Sequence, residues 1–439
     1  AKAKAPKEFE VVRLMLEHPK FGCLYDDKTY TFSREGNLLR QENELFYYDD
    51  GYWKHYTDDD IKFLKTRILH IYKGLVDNSR IEKTFKTFLL CVPPKPKNID
   101  FFVPNPYAVN FNNGTLHLMK DSEGKFSLEF KEHEKTDYLT TKIPIDYDAS
   151  GEEVNHEFMD MLDRVFEGDE DKDDKIKALS EMMGAALMPY FPHLFFLYGV
   201  PSSGKSTLCL LLKRLVDENN ICSVQPTQFY GFHMASMAGK LVNIVTDINT
   251  RATISDDVVK QIEDRVKIRI ERKRKDDLYA PLPSVHVFGA NGLPKNFDGE
   301  SRAHNRRWTI IQFNNEIKGT KRDYVDYVFK KNPQGILNFA LKGLDLLIEN
   351  QGYFTRFKSS DENLEAWQKE NSPIEIFYDE INQENGCEVI TRDYEASIIS
   401  DPDGKISRTK LWEFFTQWLI FSGRRHYKVT SRQFYKLSR

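Results

Sequence analysis

Eight consecutive residues, Gly199-Val200-Pro201-Ser202-Ser203-Gly204-Lys205-Ser206, carry two glycines, a lysine and a hydroxyl at the spacing that wraps backbone around phosphate groups. The glycines let the chain curl with its N–H groups turned inward, Lys205 is placed to reach the β and γ oxygens of a nucleoside triphosphate, and Ser206, followed by Thr207, offers a hydroxyl to Mg²⁺. Such a site needs an acid to hold the metal, and the apolar run from Leu241 ends in Asp247. Asp247 is therefore read as the metal carboxylate, with helix capping as the lesser alternative. Another apolar run, Ser284 to Ala290, ends in Asn291, an amide able to hold an attacking water or touch the γ-phosphate; as an Asn before Gly it also suits a turn.

A second group of residues suits a different polyanion. Arg265 to Asp277 alternates basic and apolar residues and then gathers Arg272, Lys273, Arg274 and Lys275, which predicts a hairpin with a cationic apex. That density of charge on one short element fits a row of nucleic-acid phosphates, against the plain reading of a solvated charge run. Arg306 and Arg307 stand at the start of the apolar run Trp308 to Phe313. There a guanidinium could stabilise phosphoryl transfer at a neighbouring subunit's site, or make a surface ion pair.

These residues need a framework. Leu194 to Tyr198 reads as a buried strand entering the phosphate loop and Thr207 to Leu212 as a helix leaving it; Leu241–Val245 and Val285–Phe288 read as further buried strands, giving an α/β sheet with phosphates at the strands' C-terminal ends. Upstream, residues 1–150 read as an α+β module, with a helix from about Asp58 to Val76 and a hairpin around Asn113-Gly114. The run Asp58-Asp59-Asp60 fits the positive end of that helix better than a metal site. A core spans 151–320, opening with helices around Phe158–Phe166 and Ile176–Met188 and an acidic tract, 167–174, read as a solvated loop. A helical subdomain, 321–371, holds the apolar-striped Ile336–Ile348. Residues 372–439 read as helices at Ile374–Ile381, Thr409–Phe421 and Ser431–Leu437, a helix-turn-helix variant whose basic residues suit DNA contact or ordinary surface.

Bulk properties exclude some classes. With 439 residues, 40% hydrophobic, 30% charged and net charge −4, the sequence reads as globular and multidomain, without the ~20-residue apolar run of a membrane span. Its mean hydropathy of −0.57 agrees. Five cysteines lie scattered, arguing against a zinc site or a disulfide framework and for a reducing cytoplasm. The opening Ala-Lys-Ala-Lys-Ala-Pro, with no Met, suggests a piece cut at a linker from something longer.

The order of phosphate loop, single-acid strand, basic hairpin, strand ending in Asn and Arg pair resembles the superfamily 3 helicases, above all the helicase half of phage and plasmid primase-helicases related to the poxvirus primase-helicase. Asn113-Gly114-Thr115-Leu116, His133–Asp148 and Gly335–Phe354 resemble that family's flanking regions. The resemblance implies an AAA+ P-loop core between the α+β module and the helical subdomain, with an incomplete winged-helix-like module at the end. It also implies ATP and Mg²⁺ bound between subunits of a hexameric ring, and 3′-to-5′ movement on single-stranded DNA to unwind forks during phage or plasmid replication in a host cytoplasm. By position, Lys205, Asp247, Asn291 and Arg306 become catalytic, Ser206 and Asp247 hold the metal, and Lys260 and Arg307 join residues 199–207 around nucleotide. Lys273 and Arg274 fall at the hairpin tip, flanked by Arg272 and Lys275. Two departures stand out: Thr246-Asp247-Ile248-Asn249 has one acid where family members often have a pair or a Glu, and residues 1–150 show no primase constellation, which would belong upstream. A P-loop nucleotide kinase and a non-hydrolysing DNA-binding initiator module remain as alternatives.

Overall fold

Continuous apolar runs build the centre of the molecule because a parallel sheet is covered on both faces and tolerates no polar side. In the computed structural model, which describes residues 5–17, 20–22, 29–31, 37–248, 253–254, 256–294, 296–297, 307–317, 323–382, 408–423 and 429–437, five parallel strands form this sheet. Their spatial order is Ile221–Cys222, Val242–Val245, Val285–Ala290, His193–Gly199, Trp308–Phe313. Alternate side chains feed two cores. Phe195, Leu197, Val285, Val287, Ile311 and Phe313 join one cluster, whereas Leu194, Phe196, Phe288, Trp308 and Ile310 join the other.

The first face is covered by helices Lys172–Leu187, Lys205–Val216 and Pro333–Glu349. Two glycines explain how closely the first and last of these approach. A Cβ on Gly343 would stand 1.9 Å from the Ser180 carbonyl oxygen, and one on Gly184 2.5 Å from the Leu344 nitrogen, so only hydrogen fits at either crossing point. On the second face Trp308 stacks on Phe196 at 4.9 Å and meets Trp367, from helix Lys358–Asn371, edge-on at 5.6 Å.

The amino-terminal residues form their own core, from Val11 to Val92, around strands Leu38–Gln41, Glu44–Asp49 and Tyr52–His55 and three helices, of which Glu8–Glu17 comes first. Thr57 and Asp60 make a reciprocal capping box, which starts the next helix, Asp58–Ile71, at the expected acidic run. It ends before the expected Val76 because Lys73 and Gly74 adopt φ of 55° and 69°; Asp77 then caps the third helix, Asn78–Cys91. The expected hairpin pairs Ala108–Asn110 with Thr115–Lys120, and Phe126–Lys131 completes a small sheet. Its Val109, Phe111, Leu116 and Leu118 pack into the core on the first face of the α/β sheet.

The acidic tract is exposed at Glu167, Glu170, Asp173 and Asp174, as expected of a solvated loop, but Asp169 and Asp171 are not free in it. Asp169 accepts 2.8 Å from Nζ of Lys175, a lysine only 2% exposed that also donates to the Gln312 carbonyl, and Asp171 accepts from the Ser359 backbone N–H. A buried ammonium requires such partners, so Lys175 joins Asp169 to the last strand, while Asp171 ties the helix start to helix Lys358–Asn371. At the carboxyl end, helices Pro373–Asn382, Arg408–Phe421 and Ser431–Leu437 meet around Phe377, Phe415 and Phe434. Arg306 and residues 424–428 of the expected winged-helix turn lie outside the described residues. No described helix is long and apolar enough to cross a membrane.

Candidate active site

The loop 199–206, expected to bind phosphate, takes a backbone geometry that its glycines allow. Gly199 has φ 141° with the Phe313 carbonyl oxygen 2.1 Å from where a Cβ would sit, and Gly204, at φ 92°, leads into helix Lys205–Val216. Ser202 also takes a positive φ, 57°, and its carbonyl accepts from the Ile317 N–H at 2.9 Å. With Val200 N–H donating to the Phe313 carbonyl, the segment leaving the last strand is stitched to the loop at two points.

Lys205 is only 6% exposed, and its Nζ donates to the carbonyls of Gly199 (3.0 Å) and Val200 (2.7 Å) and to Ser203 Oγ (3.1 Å). Burial pushes its pKa below the ordinary lysine value, while the Asp247 charge pulls the other way. Cys209, one turn on, is pushed up to about 12 by burial and stays a thiol that packs.

A cleft of about 850 Å³ opens over the loop, and its lining includes Pro201 to Thr207, Asp247 and Asn291. Residues 205, 247 and 291, far apart in sequence, are brought to one cavity because their strands all end at the same edge of the sheet. The Asn strand lies between the phosphate-loop strand and the Asp strand, so Asp247 is one strand further away than a neighbouring-strand arrangement puts it. Gly289 permits this: the Thr246 carbonyl oxygen stands 2.5 Å from where its Cβ would be. The Asp247 carbonyl accepts from Gln225 Nε2 at 3.0 Å, and its side chain is exposed to the cleft.

The opposite wall comes from residues to which sequence pattern assigns no chemistry: Glu157 and Arg164 on helix His156–Val165, and Tyr324 and Tyr327 on helix Tyr324–Lys331. Tyr324 Oη donates to the Glu157 carbonyl and Tyr327 Oη to the Glu157 carboxylate, which also pairs with Lys331 at 2.6 Å. Helical spacing alone marks this region only as packing surface.

Other expected site residues lie elsewhere. Arg307 is nearly buried and binds Glu263, at the end of helix Asp256–Glu263, within its own chain, and it does not line the cleft. Lys260 is exposed on that helix, also outside the cleft lining. The basic segment forms the expected hairpin, Ile268–Ile270 against Leu278–Ala280. Its four cations are not equivalent, however. Lys273 and Arg274 are exposed at the tip, while Arg272 and Lys275 are paired with Glu44 of the amino-terminal module. Among the described residues no cluster of His, Cys, Asp and Glu has metal-site geometry.

Residues 28–167 match the family model described as D5 N terminal like, and residues 197–307 match one described as a family of unknown function, DUF5906. Among solved structures, the A form apo structure of the NrS-1 C-terminal region is similar at 13% identity and TM-score 0.46, over 87% of this chain and 82% of that one. Another apo structure of that region gives 12% identity and TM-score 0.45, over 86% and 82%. No curated protein matches the chain by sequence.

Proposed function

We propose that this chain is an ATP-dependent helicase of the superfamily 3, AAA+ type, working as a homo-oligomeric ring, hexameric by the family's habit, on single-stranded and forked DNA. One observation carries the reading: the phosphate loop, Asp247 and Asn291 converge on one cleft at the C-terminal edge of a parallel sheet. The D5 N terminal like match over 28–167 supports the same family, and with it a place in phage or plasmid replication.

In this reading inward-facing N–H groups of 202–206 cradle the β-phosphate, and Lys205 exchanges its loop partners for β/γ oxygens. Ser206 and Asp247, both exposed on the cleft, would hold Mg²⁺, which when bound neutralises charge on the phosphate oxygens. Asn291 orients the water that attacks the γ-phosphorus as the bond to the β–γ bridging oxygen breaks. The wall of Tyr324 and Tyr327 leaves room for the nucleoside. Arg306 is the cation offered to the neighbouring subunit, since Arg307 is bound to Glu263 within its own chain. Lys260, on the same helix as Glu263, faces that neighbour with it. Lys273 and Arg274 contact the DNA backbone from the hairpin tip.

Hydrolysis of ATP measured with and without single-stranded DNA tests this. Stimulation by DNA is expected. Phosphate transfer to a nucleoside monophosphate would make the protein a kinase instead, and no turnover under either condition would make it a non-hydrolysing initiator module.

A further inference from the structure

The base of the basic hairpin is closed off by carboxylates from outside it. Glu44 accepts from Arg272 Nη1 at 2.9 Å on one oxygen, and meets His55 Nε2 at 2.7 Å and Lys275 Nζ at 3.5 Å on the other. The two principal side chains are 13% and 12% exposed, so this is a nearly buried ion pair. Arg272 is fixed further by its own turn, donating from Nε to the Asp276 carbonyl, and its guanidinium lies 5.4 Å from the ring centre of Phe102. Lys275 also stands 3.2 Å from Asp58, and Lys267 2.9 Å from Asp100, which Gln41 holds from its other oxygen at 2.8 Å. Burial alone would raise the Glu44 pKa, but the His55 hydrogen bond and the charges of His55, Lys275 and Arg272 bring it down to about 2.

A hairpin with three paired residues per strand is too short to hold its tip in place unaided. We propose that Glu44 is a positioning residue for nucleic-acid binding: it anchors the hairpin base through Arg272 and Lys275, so that Lys273 and Arg274 stand at a fixed height and direction for a phosphate backbone. Arg272 and Lys275 are then struts, and the amino-terminal module is part of the gripping element. The inference rests on the nucleic-acid reading of the hairpin given above.

Its test turns on a sign. Removing a carboxylate beside a cationic cluster should, by charge alone, tighten binding to a polyanion. Removing an anchor should weaken it, because Arg272 is left buried without its partner and the hairpin base must shift. Binding of a fluorescent oligothymidylate to the full chain, followed by anisotropy across a salt series, reads the outcome. Glu44→Gln is expected to weaken binding about tenfold. Glu44→Asp, which keeps the charge on a shorter arm, should recover part of it. Adding Glu44→Gln to a Lys273→Ala, Arg274→Ala background should cause no further loss, because the anchor acts through those two cations. Thermal unfolding checks that each variant is folded, and Glu44→Asp carries the test if Glu44→Gln is not. Equal or tighter binding by Glu44→Gln, or a loss that adds fully to that of the tip variant, would overturn the proposal. Failure of the unaltered protein to bind the oligonucleotide would instead overturn the nucleic-acid reading, and the anchor with it.

Discussion

The cleft over residues 199–206 and the basic hairpin both present cations that the proposed function assigns to phosphate, yet they are built in opposite ways. In the cleft, Lys205 is held by atoms two to six residues away, at Gly199, Val200 and Ser203. In the hairpin, Arg272 is held by Glu44 across 228 residues of chain. A local motif carries its own geometry, so its chemistry can be read where it stands. A run of charges does not, because which of its members remain available is decided by whatever packs against it.

The sharpest way to break this contrast is at the cleft. Lys205→Ala is expected to reduce ATP hydrolysis by at least about a thousandfold, since it removes the charge aimed at the transferring phosphate. Near-normal turnover in a steady-state assay would remove the basis for treating the cleft as the catalytic region. At the hairpin, Lys273→Ala with Arg274→Ala should weaken single-strand binding and flatten its salt dependence by up to about two units of slope, one for each phosphate no longer neutralised. With hydrolysis in the absence of DNA as the reference, the DNA-stimulated part should fall. A collapse of the reference rate with an unchanged salt slope would move these cations to the nucleotide site.

A smaller effect separates the two regions by acidity. His193 and His286 lie buried in the strands that carry the phosphate loop and Asn291, and burial lowers each to about 3. Their folded values lie below the ordinary 6.5, so stability is full above that pH and falls as the unfolded chain takes up protons that the folded chain refuses. The anchor at Glu44, lowered from 4.5 to about 2, persists until the medium is far more acidic. Between pH 7.5 and 5.5 the urea midpoint should drop, corresponding to about 2–3 kcal/mol at roughly 1.4 kcal/mol per imidazole per unit. His286→Gln should remove about half of the drop; an unchanged slope would show that these imidazoles do not set it.

The legible parts of the molecule follow the same division. Strands around Phe195, Ile244 and Val287 are readable because unbroken apolar runs have few other uses, and the helix at Asp58 because its cap is written within four residues. The sequence pattern could not reveal that the Asn strand would slip between the other two, since pairing order is a property of the assembled sheet. Nor could it show Tyr324 and Tyr327 facing the loop, because helical periodicity gives a face and not what the face meets. Asp169 reads as solvated charge because nothing in the run of residues around it says that Lys175 is buried beside it.

The Lys205 ammonium makes three hydrogen bonds within its own loop. The loop is already ordered by its own lysine, so the triphosphate of the proposed function would swap one set of hydrogen bonds for another instead of organising a floppy segment. Little conformational entropy is lost on capture, and the strength of binding becomes the difference between two well-bonded arrangements.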